Sequence, residues 1–352
     1  MPLSRFALLT ASSLLPLTIL AAGCSSNPDL ASDAGGAGGA GGAGGAGPGP
    51  SSSGSGGLDP DVKVTTIAKL ISPVTAPSGT EKTQCITVNL NNPEGAYARR
   101  FRADISTGSH HMIVYTSAKT VEEPDPKDCQ PFEGILNGEH PIFMAQQPHS
   151  ELVFPTDDSG VPVGFEIQPN QMVKIEMHYV NTTNFPLDVM GKVSFDTVPL
   201  TTAVTKTDLA FWGTTEIDIP PNSAGDTGVL FRPALAGTKT FVLSTHQHHL
   251  ATEMRVWYGE GADDPNKMQV AVTENWADPP LKVFSPSLDF PENNGNTFSK
   301  KGFAFQCKWN NTTPNTVKFG EGFNDEMCFL VQYYYPSQGF HICLDSFCTT
   351  TP

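Results

Sequence analysis

The sequence predicts an all-β protein of the sandwich type, and three observations carry that expectation. Charged residues make up only 16% of the 352 residues, whereas Gly (33) and Pro (30) are plentiful, a composition suited to strands joined by tight turns. Short apolar runs punctuated by Pro, Gly and Asn recur at 62–71, 85–90, 111–115, 173–180, 241–244, 254–258 and 324–335. In the first half, no stretch of helical periodicity reaches the length of a globular helix. The length allows one large domain or two of ordinary size.

The chain opens with features of export. Met1 to Gly23 read as a signal peptide, with Arg5 as its leading charge and Phe6 to Ile19 as its apolar core. Pro16 and the short length fit a membrane span poorly. The end of this segment, Leu20-Ala21-Ala22-Gly23-Cys24, resembles the lipobox of bacterial lipoproteins, with Ala21 where leucine is usual. That resemblance implies lipidation at Cys24, and Ser25 after it implies the outer membrane of a Gram-negative host, on its periplasmic or cell-surface side. Residues 24–57 form a Gly/Ala/Ser-rich linker, with Gly-Gly-Ala repeated from 35 to 46. Such a segment buries no core and acts as a flexible tether. The globular part is expected to start at Leu58.

A formal net charge of −15 speaks against nucleic acid or anionic lipid as a partner, because either is repelled. The expected partners are a small-molecule substrate and the lipid anchor. Six of the seven cysteines lie beyond residue 80, pointing to disulfides and an oxidising compartment.

The histidines concentrate the chemistry. Three of the nine fall in Thr245-His246-Gln247-His248-His249-Leu250. On an extended strand His246 and His248 share a face and converge on one metal ion, while His249 faces away. A second group, His110-His111-Met112, has adjacent histidines that point to opposite faces of a regular strand, so joint ligation requires a strand end or a bulge. A third, Met172 to Val180, sets Val173, Ile175, Met177 and Tyr179 on a core face and Lys174, Glu176 and His178 on the other, where His178 is free to reach across a gap. Farther on, Met327 shares a strand face with Phe329, Val331 and Tyr333. If histidines lie opposite Met327, its thioether points to copper, since soft sulfur suits Cu(I) and is a poor zinc ligand. His140 and His149 lie in Pro- and Gly-flanked loops and read as surface residues.

Four stretches in order, His110-His111-Met112, His178-Tyr179, His246-Gln247-His248-His249-Leu250 and Asp325-Glu326-Met327-Cys328, resemble the type II copper, ascorbate-dependent monooxygenases. The resemblance covers roughly residues 60–340. It implies two tandem jelly-roll β-sandwich domains, at 58–198 and 199–352, with a copper-lined open cleft between them. It implies an electron-transfer copper on His110, His111 and His178, and an oxygen-activating copper on His246, His248 and Met327, hence two coppers per chain. It also implies the disulfides Cys85–Cys129 and Cys307–Cys328; proximity alone then leaves Cys343 to pair with Cys348.

That chemistry would hydroxylate a C–H bond with O2, using electrons from ascorbate or a similar reductant. The arginine that grips a substrate carboxylate in the peptide-hydroxylating members is Ser244 here. The asparagine and tyrosine after the Met-Cys pair are Phe329 and Val331. An apolar or aromatic small molecule is therefore expected in a pocket lined by Ser244, Phe329 and Val331, with Glu176 lining the cleft, backing the metal or facing solvent. Two other readings compete: a surface lipoprotein that binds or buffers copper without turnover, and a tethered adhesin or glycan-binding module with no metal.

Overall fold

The computed structural model describes residues 63–351, so the expected signal peptide, Cys24 and the linker lie outside the described residues. Strands dominate, as the turn-rich composition predicts, and each expected apolar run contributes to a strand. A single turn of helix, Glu133–Leu136, interrupts the first half. The last predicted strand begins only at Phe329, so Met327 lies on the segment leading into it.

The first half is two facing sheets. One runs Lys127–Asp128, Glu81–Asn89, Met172–Val180, Ser109–Ser117, His140–Ala145, all antiparallel. The other runs Thr65–Ala76, Leu187–Val198, Ala96–Ile105, Val163–Ile167, Thr205–Lys206, with His149–Val153 also paired to Ala96–Ile105. The sheets of this half thus extend past residue 198 to Lys206.

The second half repeats the plan. One sheet is ordered Lys282–Phe290, Thr238–His246, Phe329–Tyr335, Asp208–Gly213, Phe340–Leu344, Phe347–Thr351. The other is ordered Ser223–Asp226, Phe298–Asn311, Ala251–Gly259, Met268–Thr273, with Leu230–Leu235 also on Phe298–Asn311.

The strand Phe329–Tyr335 explains how the halves are joined. All seven of its residues are buried, which strand alternation with one wet face does not allow. Leu330 and Tyr334 pack into the core of the second half. Phe329, Val331, Tyr333 and Tyr335 instead join Leu209, Phe211 and Phe241 in the core of the first half. The middle sheet is therefore covered on both faces, and one apolar cluster spans both halves. Polar ties cross the same seam: Met144 N–H donates to the Tyr333 hydroxyl (3.1 Å), and His140 Nε2 meets Asp208 Oδ1 at 2.6 Å. Gly213 permits the close approach at its edge, since a Cβ there would lie 2.1 Å from the Phe329 ring.

Two expectations need correction here. His140 and His149 begin strands rather than lying in loops; His149 is at the surface as expected and meets Asp104 (2.7 Å), whereas His140 is partly buried against Asp208. The face of Met172–Val180 that carries Lys174, Glu176 and His178 does not border a gap, because all three are at most 1% exposed. The helix and its flanks cover it: Lys174 pairs with Glu133 and Glu139, and Phe132 N–H donates to Glu176.

A core shared by both halves predicts one cooperative unfolding transition in denaturant. Tyr333→Ala should lower its stability by about 3–5 kcal/mol, and two resolved transitions in the unaltered chain would contradict a shared core.

Candidate metal centre

The first three histidines come together through a bulge. Ser109 pairs with Tyr179 but His111 pairs with His178, so the upper strand holds one extra residue, His110. The extra residue breaks the alternation that would point His110 away from His111. His111 and His178 are direct cross-strand neighbours with ring centroids 5.1 Å apart, and His110 lies 5.0 and 5.3 Å from them. One nitrogen from each of the three lies within 4.8 Å of the others. His178 donates its Nε2 proton to Glu81 (2.9 Å), leaving Nδ1 without a partner. That bond with His178 is the main reason the Glu81 carboxyl is held below its ordinary value.

The second pair sits where Thr238–His246 ends. His246 Nδ1 donates to Gln146 Oε1 (2.6 Å), a residue of the first half, and His248 Nδ1 donates to the Asp325 carbonyl (3.0 Å). Each bond fixes the tautomer that leaves Nε2 as a lone pair, and both Nε2 atoms are buried without partners. Glu326 anchors the turn: its carboxylate accepts from His248 N–H (3.0 Å), Leu250 N–H (2.7 Å) and Trp309 Nε1–H (2.9 Å). Burial pushes this carboxyl up to about 7, against those bonds. The paired register ends with His246 opposite Phe329, and Met327, two residues before Phe329, packs in the shared apolar core. Met327 is 1% exposed, and the neighbouring Cys328 is bonded to Cys307. Cys85–Cys129 and Cys343–Cys348 are likewise bonded.

The two sets are not held apart across an open cleft. His110 lies 5.4 Å from His246 and 5.5 Å from His248, and His111 lies 5.4 Å from His246. The His110 ligand atom lies within 4.8 Å of those of both pairs. Five imidazoles thus form one cluster at the seam, where the shared core draws the halves together.

His111, His178, His246 and His248 are at most 2% exposed. Six of the cluster's ring nitrogens are buried and unpartnered: His110 Nε2, both of His111, His178 Nδ1, and Nε2 of His246 and His248. Each such group costs about 1–3 kcal/mol, and their convergence is the arrangement a bound metal ion satisfies. Burial first, then the neighbouring imidazoles, holds His110, His111 and His246 well below the ordinary 6.5. Burial brings His248 down to about 4. These rings are neutral near pH 7, the state that ligates.

The expected substrate pocket is filled by protein. Ser244 is 4% exposed and accepts from Gln146 Nε2 (3.2 Å), while Phe329 (7%) and Val331 (1%) are packed in the shared core. Glu176, 0% exposed, accepts from Phe132 N–H (2.7 Å) and the Tyr115 hydroxyl (3.1 Å), so it faces neither cleft nor solvent. Burial pushes its carboxyl up to about 7. His249 turns away as expected, stacking on Phe323 at 4.3 Å. Sequence reasoning missed Gln146, Glu81 and Glu326, whose roles depend on contacts distant in the chain.

Acid should weaken the metal-free fold. Below about 6.5 the unfolded chain takes up protons on histidines that the fold keeps neutral, so stability falls as pH drops toward 4. Glu176 and Glu326 act in the opposite sense, since their raised values favour the fold in acid and lose that contribution as pH rises through about 7. Four depressed imidazoles outnumber two raised carboxyls, so the net slope is destabilising. Denaturant unfolding at pH 7.5 and pH 5 measures it, and equal stability at both would contradict the buried neutral cluster.

Residues 231–351 match the model of the copper type II ascorbate-dependent monooxygenase, C-terminal domain. No curated protein sequence matches the chain. Among solved structures, the major capsid protein P2 from bacteriophage PM2 is 9% identical with a TM-score of 0.30, over 77% of this chain and 97% of that one. Recombinant N-glycanase F is 9% identical with a TM-score of 0.31, over 81% and 98%. Similarity that low carries no argument. The family match does, because it encloses His246, His248 and Met327: residues 231–351 are similar to the C-terminal domain of the copper type II, ascorbate-dependent monooxygenases.

Proposed function

We propose that the chain is a copper-dependent monooxygenase that hydroxylates a small apolar or aromatic organic molecule with O2 and an ascorbate-like reductant. The observation that carries this reading is the convergence of unpartnered, neutral imidazole nitrogens on one seam, in a chain whose residues 231–351 match a copper monooxygenase domain. His110, His111 and His178 would hold an electron-transfer copper, and His246, His248 and Met327 an oxygen-activating one. Bound copper would supply one-electron steps between Cu(II) and Cu(I), which zinc does not.

The chain's own residues prepare those positions. Gln146 and the Asp325 carbonyl hold the Nδ1 protons of His246 and His248, keeping both Nε2 lone pairs for metal. Glu81 does the same through the opposite nitrogen of His178. Glu326 fixes the backbone of the turn that carries His248. The nearly closed seam keeps bulk water from reactive species.

Copper buffering without turnover is the second reading, favoured by the burial of four of the five clustered histidines. The copper-loaded chain, supplied with ascorbate and an aromatic substrate, should consume O2 in step with hydroxylated product. His246→Ala should abolish product while leaving copper bound at the first set. Tight copper binding with no product above the metal-free control would favour the buffer.

The same proposal places the mature chain on an outer membrane through a lipid on Cys24, with the linker as tether. Cys24→Ala should move the protein from the membrane to the soluble fraction. Retention on the membrane would contradict lipidation.

A further inference from the structure

Of the five clustered histidines, His110 alone keeps solvent exposure. Against it lies a cavity of about 210 Å3 whose lining includes Ser109, His110, Val180, Thr182, Trp276 and Phe323. Here the histidine cluster meets the outside through His110, and none of Ser244, Phe329 and Val331 lines the cavity.

The walls are aromatic and pre-set. The Trp276 ring lies 5.6 Å from the His110 ring and 5.7 Å from the Phe323 ring, both edge-on. Phe323 is held three ways: its ring stacks on His249, its carbonyl accepts from His249 Nδ1 (2.7 Å), and its N–H donates to Glu81 (2.7 Å). Glu81 is the carboxylate that also orients His178, so the wall and the histidine cluster share one anchor. Among the described residues, no Lys, Arg, Asp or Glu lines the cavity. An anion therefore finds no counter-charge there, in a chain already at −15. The volume is below the range of about 300–1,000 Å3 typical for drug-sized ligands, which fits a single substituted ring.

We propose that this cavity binds one neutral, flat aromatic ring beside His110, against the Trp276 and Phe323 rings. Aromatic rings favour such edge-to-face and offset contacts. The ring has two possible sources, the molecule to be hydroxylated or a neutral aromatic electron donor. Only its role in turnover rests on the monooxygenase reading; the binding itself needs no metal.

The test uses the full mature chain, copper-free and copper-loaded, titrated calorimetrically with p-cresol and with hydroquinone. Both should bind the copper-free chain. Trp276→Ala and Phe323→Ala should each weaken binding about tenfold. Ala277→Trp, which fills the cavity from an exposed backbone position, should abolish it without removing either wall. Unchanged affinity in Trp276→Ala and Ala277→Trp, or no binding of either probe, would overturn the proposal. In the copper-loaded chain without O2, slower reduction of Cu(II) by hydroquinone in Trp276→Ala would assign the cavity to the donor. A raised KM for the hydroxylated ring, with reduction unchanged, would assign it to the substrate. Ring binding in a chain that never turns over would sink the monooxygenase reading and leave this one standing.

Discussion

The constraint on which the structure turns is the burial of imidazole nitrogens that have nothing in the protein to bond. A chain avoids such groups unless something else satisfies them, because each forfeits its hydrogen bonds to water. Here six are gathered at one seam, and the architecture holds them there. The two-faced sheet built around Phe329–Tyr335 welds the halves into one core, so the histidines of the two halves cannot drift apart without exposing apolar surface. The same sheet ends at His246, opposite Phe329. The strand that joins the halves therefore also aims one of their ligands.

Around the cluster the protein repeats one device. A buried carboxylate stands behind each set of histidines and accepts backbone N–H groups from the loop that must stay still. Glu176 takes Phe132, whose ring packs 5.5 Å from His111, and Glu326 takes His248 and Leu250. The disulfides reinforce the same places: Cys129 precedes Phe132, and Cys328 follows Met327. Cross-links of this kind stiffen the positions that carry ligands. Gln146 adds a link between halves, since its amide takes the His246 proton while donating to Thr245 and Ser244.

What could be read from the sequence were the features encoded locally. The period of apolar runs gave the strands, the His-x-His spacing gave one pair, and adjacent His110 and His111 required a strand end or a bulge, of which the bulge is present. The ordered motifs gave the family and, with it, two of the three cysteine pairings. What could not be read is set by contacts between the halves. Ser244, Phe329 and Val331 read as pocket residues because the resemblance sets these small or apolar types at the positions that grip substrate in the peptide-hydroxylating members. The same types serve equally well in a buried interface, and only the second covering layer decides between them. Glu176 looked semi-exposed because its strand alternates, yet a single turn of helix and its flanks close over that face. Gln146 has no local signature at all, being 100 residues from the histidine it orients.

The central claim, that this seam is a copper centre completed by a thioether, is tested most directly by X-ray absorption on the fully Cu(I)-loaded chain. The account predicts two coppers per chain, nitrogen scatterers from imidazole, and one sulfur scatterer that disappears in Met327→Ala. A spectrum without sulfur, or one unchanged by Met327→Ala, would contradict it.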